Sequence, residues 1–150
     1  MQRCGWVGLE PIYVAYHDEE WGVPEYDSRA LWEKLILDGF QAGLSWIIIL
    51  KKREAFRKAF ANFDPEIIAT WGPKEVDALL QDSGIVRHRG KIQAAIGNAQ
   101  AYLELQEKIP FSERIWAYTG GVPLVGSYRS QADVPTNSDL SAQISKDLKK

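Results

Sequence analysis

The stretch LILDGFQAGLSW, residues 35–46, contains one carboxylate in a run that is otherwise apolar and rich in glycine. On a helix, Asp38 falls on the same stripe as Leu31 and Leu35, so the spacing predicts that it is buried with them. A buried, ionised carboxylate is costly unless it is paired or hydrogen-bonded, and the position therefore indicates a ligand site. The alternative is a helix that ends at Gly39, with Asp38 facing water.

Aromatic residues are concentrated where a ligand could use them. Four lie within the first 21 residues and a fifth closes the stretch that holds Asp38; they are Trp6, Tyr13, Tyr16, Trp21 and Trp46. Aromatic faces and a carboxylate both attract positive charge, so we predict that these rings surround Asp38 and hold a flat cationic ligand. A purine made cationic by alkylation has this character. The alternative is a helical core filled by tryptophan side chains.

Two residues of the types that bind zinc, Cys4 and His17, lie near the start of the chain. A structural zinc site needs four ligands, and this spacing alone identifies only two. A small buried thiol and an unrelated histidine are the alternative interpretation.

Three basic residues, Arg87, Arg89 and Lys91, cluster where a helix is predicted to begin. Backbone N–H groups and cations at a helix start suit a phosphate, although a solvated basic face is the alternative. Leu44 follows Gly43 on a predicted turn, and an apolar side chain on such a turn can enter DNA as a wedge between bases. These residues are the candidates for contact with DNA.

Helices must position these groups. Asp27 or Ser28 is a predicted N-cap, Ser45 is another, and Asp64 followed by Pro65 is a third. Further helices are predicted from Pro73 to Gly84, along the stripe of Ile92, Ile96, Ala99 and Leu103, over residues 112–121, and over residues 138–150 with Ile144 and Leu148 facing inward. One long loop is predicted over residues 122–136. Strand signals are sparse, so we predict an all-α fold.

Composition sets the limits of this interpretation. The chain has 150 residues, of which 45% are hydrophobic and 25% charged, and its net charge is −2, which predicts one globular domain without a global basic field. The single cysteine excludes an internal disulfide framework. Neither a signal peptide nor a long apolar run is visible, so we expect no membrane partner and a place in the reducing cytoplasm.

Six ordered strings resemble one family along the whole chain: RCGW, YHDEEWGVP, LILDGFQAGLSWIIILKKREAFRKAF, FDP, GIVRHRGKIQAAIGNAQAY and VPTNSDLSAQISKDLKK. They are similar to 3-methyladenine DNA glycosylase I. The resemblance implies an all-helical glycosylase of the helix-hairpin-helix superfamily, acting as a monomer in base-excision repair. It also implies a monofunctional hydrolase that flips N3-methyladenine out of alkylated double-stranded DNA and cleaves its N-glycosidic bond.

The resemblance also implies roles for individual residues. Cys4 and His17 match zinc ligands of the family, so a structural zinc ion is expected. Tyr16 and Trp46 match base contacts, and Asp38 stands where the family has glutamate. The remaining matches are Trp6, Tyr13 and Trp21 as pocket lining, and Gly43 and Leu44 as the segment that enters DNA.

Family members continue past the point where this chain stops at Lys150. We therefore expect residues 1–150 to be a single, truncated glycosylase domain that lacks the C-terminal hairpin and the other two zinc ligands. A binding module that holds damaged or free base without cleaving DNA is the alternative function. A small helical metal-binding or transcription-type domain would need a complete ligand set and a helix-turn-helix, and neither is visible.

Overall fold

The computed structural model describes residues 3–149, and these residues form helices, turns and loops without a strand. The all-α prediction is confirmed. The α-helices of this part of the chain are α1 (Pro11–Glu19), α2 (Ser28–Gln41), α3 (Trp46–Ala59), α4 (Pro65–Ile68), α5 (Pro73–Leu79), α6 (Arg89–Gln106), α7 (Phe111–Trp116) and α8 (Asp139–Asp147). Short 3-10 helices cover Ala61–Phe63, Ala117–Thr119 and Gln131–Asp133.

The chain divides into two compact units, and the boundary falls within α7. The central unit contains residues 25–112, and the terminal unit contains residues 3–24 and 113–149. The expected single domain over residues 1–150 stays a prediction, and its two ends, Met1 to Gln2 and Lys150, lie outside the described residues.

Helix α2 begins as predicted, but it buries a different stripe. The Asp27 carboxylate accepts a hydrogen bond of 2.8 Å from the backbone N–H of Ala30, so Asp27 rather than Ser28 is the cap. The buried side chains of α2 are Trp32, Ile36, Leu37 and Phe40. Leu35 is 36% exposed, and the predicted inward stripe through Leu31 and Leu35 is therefore wrong.

Aromatic packing explains why α2 is rotated in this way. The Phe40 ring lies 4.7 Å from the Phe56 ring and 5.5 Å from the Phe60 ring, measured between centroids. The Trp32 ring lies 5.4 Å from the Tyr102 ring of α6. Because aromatic side chains bury more apolar area than leucines, the two aromatic positions of α2 determine its inward face.

Helix α3 follows a four-residue connection and starts at Trp46, with Ser45 at the N-cap position. The Ser45 side chain makes no capping hydrogen bond. Ile49, Leu50 and Phe56 of this helix are buried. The WIIIL run is therefore helical, as the predicted helix start at Ser45 implies, although its β-branched residues would suit a strand.

A left-handed turn links α3 to α4. Ala61, Asn62 and Phe63 have φ angles of 49°, 54° and 52°, which side chains other than glycine rarely adopt. The guanidinium of Arg29 donates to the carbonyls of Asn62, at 2.9 Å, and Phe63, at 3.2 Å. The Phe63 ring is fully buried and stacks on the Phe60 ring at 5.8 Å. Tertiary contacts thus offset the strain of this backbone.

Helix α6 is the long helix of the central unit, and it packs against α2, α4 and α5. Its buried side chains are Ile92, Ala95, Ile96, Ala99 and Tyr102. The helix predicted from Pro73 to Gly84 is shorter than expected, because α5 ends at Leu79. The Asp82 carboxylate binds the Gly84 N–H at 2.7 Å and so stabilises a turn in place of further helix.

In the terminal unit, Val7 and Tyr16 are buried. Helix α8 starts after Ser138, whose hydroxyl accepts from the backbone N–H of Ser141. Leu148 lies beyond the end of this helix and is 41% exposed, so its predicted inward orientation is wrong. Within residues 3–149, none of the helices is long and apolar enough to cross a membrane.

Candidate functional site

Four of the five predicted aromatic residues form one cluster in the terminal unit. Measured between ring centroids, Trp6 lies 4.9 Å from Tyr13, 6.5 Å from Tyr16 and 5.6 Å from Trp21. The His17 ring stacks on Trp21 at 5.5 Å with an interplanar angle of 13°. We call these five side chains the aromatic cluster.

Helix α1 positions most of this cluster. Tyr13, Tyr16 and His17 are spaced by three and four residues, so they share one face of α1. Pro11 at the first helical position sets where that face begins. Tyr16 is 7% exposed and Trp21 is 51% exposed, so the cluster runs from a buried ring to one that meets solvent. Such a gradient leaves aromatic surface on which a planar ligand can stack.

An ion pair fixes the imidazole of the cluster. Arg3 and Asp18 approach to 2.7 Å, and Asp18 Oδ1 lies 2.9 Å from His17 Nδ1. The Arg3 guanidinium first, and then the His17 ring, stabilise the charged carboxylate and lower the pKa of Asp18 to about 2. Asp18 is therefore ionised at neutral pH and orients the His17 ring.

Cys4 and His17, the predicted zinc ligands, are neighbours. The backbone N–H of Cys4 donates to His17 Nε2 at 3.4 Å, so His17 carries its own proton on Nδ1, toward Asp18. Among residues 3–149, no group of three histidine, cysteine or acidic side chains is placed to hold a metal ion. Two donors do not form the four-ligand site that structural zinc requires, so the described residues by themselves do not fit the ion.

Asp38 lies in the last turn of α2, in the central unit, and its burial prediction is wrong. The side chain is 45% exposed, because α2 buries the stripe of Trp32 and Phe40. The carboxylate is therefore available to solvent or to a ligand. The argument from burial to a ligand site therefore fails, and the role of Asp38 in the site stays a prediction that rests on the family resemblance.

Lys34, which no motif in the sequence marks as a site residue, contacts both Asp38 and Trp46. The Lys34 ammonium lies 2.5 Å from Asp38 Oδ1 and 4.2 Å from the centroid of the Trp46 ring. Lys34 precedes Asp38 by one helical turn, and this i,i+4 spacing was the signal that could have identified it. The same ammonium thus forms an ion pair with Asp38 and a cation–π contact with Trp46.

The connection between α2 and α3 carries the predicted wedge. Gly43 has a φ of 80°, a conformation that favours glycine, and the Leu44 N–H donates to the Gln41 carbonyl at 2.6 Å. Leu44 is 38% exposed. The turn therefore presents an apolar side chain at the surface of the central unit, as the wedge hypothesis requires.

Lys91 supports this turn. Its ammonium donates to the carbonyl of Phe40 at 2.9 Å and to that of Ala42 at 2.6 Å. Carbonyls at the end of a helix lack intrahelical partners and carry the negative end of the helix dipole, so a cation stabilises them. The structure thus engages the Lys91 ammonium with backbone, although the sequence predicts it as a DNA contact.

The other two predicted DNA contacts lie at the surface beside the start of α6. Arg87 is exposed, and Arg89 forms an exposed ion pair of 2.7 Å with Asp77. His88 caps α6, because its Nδ1 accepts a hydrogen bond from the Lys91 N–H at 3.2 Å. Exposed ion pairs are weak, so the Arg89 guanidinium can exchange Asp77 for a phosphate.

A model of the methyladenine glycosylase family matches residues 6–150. DNA-3-methyladenine glycosylase 1 of Escherichia coli (strain K12) is 50% identical over 151 residues, which cover 100% of this chain and 81% of that protein.

Two solved structures have the same fold as this chain. The crystal structure of a 3-methyladenine DNA glycosylase I has a TM-score of 0.96 and 50% identity, covering 99% of this chain and 82% of that one. The enzyme from Staphylococcus aureus, solved for the structural basis of 3-methyladenine recognition, has a TM-score of 0.95 and 41% identity, covering 99% of this chain and 80% of that one.

Proposed function

Because this chain belongs to the methyladenine glycosylase family, we propose that it is a DNA-3-methyladenine glycosylase, which removes N3-methylated adenine from alkylated DNA in base-excision repair. The observation that carries this proposal is 50% identity to a protein of that name across 100% of the chain. The aromatic cluster and the exposed Asp38 carboxylate support it, since both suit a flat, cationic base.

The substrate itself explains much of the chemistry. Methylation at N3 makes the adenine of a nucleotide positively charged and weakens its bond to C1′ of the sugar. When that bond breaks, its electron pair stays with the base and neutralises it, while water adds to C1′ and loses a proton. The protein needs to extrude the nucleotide and hold the departing base in position.

The residues proposed to hold the base contact it in different ways. Asp38 accepts hydrogen bonds from the base edge, and Trp46 offers the face of its ring. Tyr16 contacts the base, and Trp6, Tyr13 and Trp21 of the aromatic cluster supply stacking surface. No step uses a lysine nucleophile, so we propose a monofunctional hydrolase.

The substrate is proposed to be duplex DNA. Gly43 and Leu44 enter the duplex where the base leaves, because an exposed apolar side chain on a tight turn can fill the vacated stack. Arg87 and Arg89 bind phosphates beside it. A monomer and a cytoplasmic location are parts of the same proposal, since one chain suffices for one extruded base in cellular DNA.

The family resemblance implies a structural zinc ion, and we propose that residues 1–150 hold it weakly or not at all. Cys4 and His17 are the ligands proposed, and the described residues supply no others. Metal analysis after dialysis tests it: with two ligands we expect substoichiometric zinc. One tightly held zinc ion per chain would mean that further ligands complete the site.

Release of free base from methylated duplex DNA tests the function. We expect 3-methyladenine in the soluble fraction and abasic sites in DNA whose strands stay intact until alkali is added. Binding of methylated DNA without base release would support the alternative, a module that recognises damaged bases. Strand breaks without alkali would contradict a monofunctional hydrolase.

A further inference from the structure

Lys34 supplies a positive charge to Asp38 and Trp46, the two residues to which the proposed function assigns a cationic base. Its ammonium lies 2.5 Å from Asp38 Oδ1 and 4.2 Å above the Trp46 ring. A charged adenine would engage the same carboxylate and the same aromatic face. An ammonium and a purine cannot occupy this position together, because each requires the space directly over the ring.

We propose that Lys34 is an internal competitor for the base, whose ammonium returns to Asp38 and Trp46 after bond cleavage and displaces the product. The proposal rests on the proposed function, since it assigns Asp38 and Trp46 to the base. It adds a role in product release that the reaction itself does not require.

The base loses its positive charge on cleavage, and this change favours the Lys34 ammonium over the product. Before cleavage the base is a cation. When it displaces the ammonium, the Asp38 carboxylate therefore keeps a positively charged partner. Cleavage leaves the electron pair of the glycosidic bond on the base, which becomes neutral. A neutral base attracts the carboxylate and the ring less strongly than an ammonium does, so Lys34 regains both contacts as the product leaves.

The exposure of the pair allows this exchange. The Lys34 and Asp38 side chains are each 45% exposed, so the displaced ammonium can move into water without a desolvation penalty. An exposed ion pair is weak, and a cation–π contact at the surface is similarly modest. Lys34 therefore slows neither entry nor chemistry by a large factor, but it lowers the affinity for the product.

The test compares Lys34→Met with the native chain in titrations of tryptophan fluorescence with 3-methyladenine. Loss of the two weak contacts predicts a Kd for 3-methyladenine that is about three- to tenfold lower. The inhibition constant of added 3-methyladenine for base release from methylated duplex should fall by the same factor. Lys34→Arg keeps a cation in place and should keep the native Kd.

Lys58→Met is the matched control. Lys58 is exposed and lies twelve residues after Trp46 on the same helix, about 18 Å along its axis. This variant changes the net charge equally and should leave the Kd unchanged. In an Asp38→Asn background, Lys34→Met should change the Kd less than it does in the native chain.

Salt gives an independent readout. Screening weakens the Lys34–Asp38 pair, so native affinity for the neutral product should rise with salt, whereas Lys34→Met should show little dependence. An unchanged or higher Kd in Lys34→Met, or an equal decrease in Lys58→Met, would overturn the proposal. Absence of base release by the native chain would instead refute the proposed function, so the two failures are distinguishable.

Discussion

Replacing Lys91 with methionine should uncouple the Leu44 turn from the rest of the central unit. The ammonium makes two hydrogen bonds to the end of α2, one to Phe40 and one to Ala42. Phe40 is anchored independently, since its side chain is 1% exposed. Residues 42–45 are exposed, and none of them has a buried side chain to anchor it. Loss of the two Lys91 hydrogen bonds should therefore destabilise mainly the turn.

The magnitude follows from the two contacts. Charge-assisted hydrogen bonds contribute about 1.5 to 3 kcal/mol each, but water replaces the ammonium at these partly exposed carbonyls. We expect Lys91→Met to lower the free energy of unfolding by about 2 kcal/mol, and Tm by about 4 to 8 °C. Gln100→Met is the control: Gln100, also on α6, donates one neutral bond of 3.1 Å to the Ala69 carbonyl, so about 0.5 to 1 kcal/mol is expected.

The functional assay separates the turn from the base site. Base release by Lys91→Met should fall about tenfold on methylated duplex and much less on methylated single strands, because only the duplex needs a wedge to replace stacking. Gln100→Met should leave the ratio of the two rates unchanged. If instead both rates fall equally and the slope of log K against log salt decreases by about 0.9, Lys91 binds a phosphate and our reasoning is refuted.

Three further variants test other parts of the structure. Asp38→Asn should weaken binding of 3-methyladenine about five- to tenfold in a fluorescence titration, since a charge-assisted bond is lost while competition from Lys34 is relieved; native affinity would show that Asp38 does not contact the base. Leu44→Ala should reduce base release from duplex about tenfold and leave free-base affinity unchanged; equal losses would place Leu44 outside the DNA interface. Ala61→Gly should stabilise the protein by about 0.5 to 1 kcal/mol in thermal melts, because glycine adopts the left-handed conformation without strain, and a lower Tm would show that unfolded-chain entropy outweighs the strain.

Local chemistry explains which elements the sequence could predict. The cap at Asp64, followed by Pro65, and the start of the last predicted helix at residue 138 depend on side chains that act within one turn. The grouping of the four aromatic rings near the start of the chain was also predictable, because Tyr13 and Tyr16 share one face of a short helix, whereas the presence of His17 among them was not predicted. Such signals need no knowledge of distant parts of the chain.

Tertiary contacts account for what the sequence could not predict. Helix α2 has apolar residues on two adjacent stripes, and only the packing of Trp32 and Phe40 against other aromatic rings selects one of them. That choice turned Asp38 toward solvent. The contact of Lys91 with the end of α2 joins residues about fifty positions apart, and no periodicity in the sequence encodes it.

The division of the chain has a consequence for biosynthesis. The central unit is continuous in sequence, so it can fold as soon as residue 112 has left the ribosome. The terminal unit combines residues 3–24 with residues 113–149, and closing so long a loop delays its assembly until the second of these segments has been synthesised. During that interval Trp6 and Trp21 are exposed in a nascent chain, where chaperones that recognise aromatic segments can bind them.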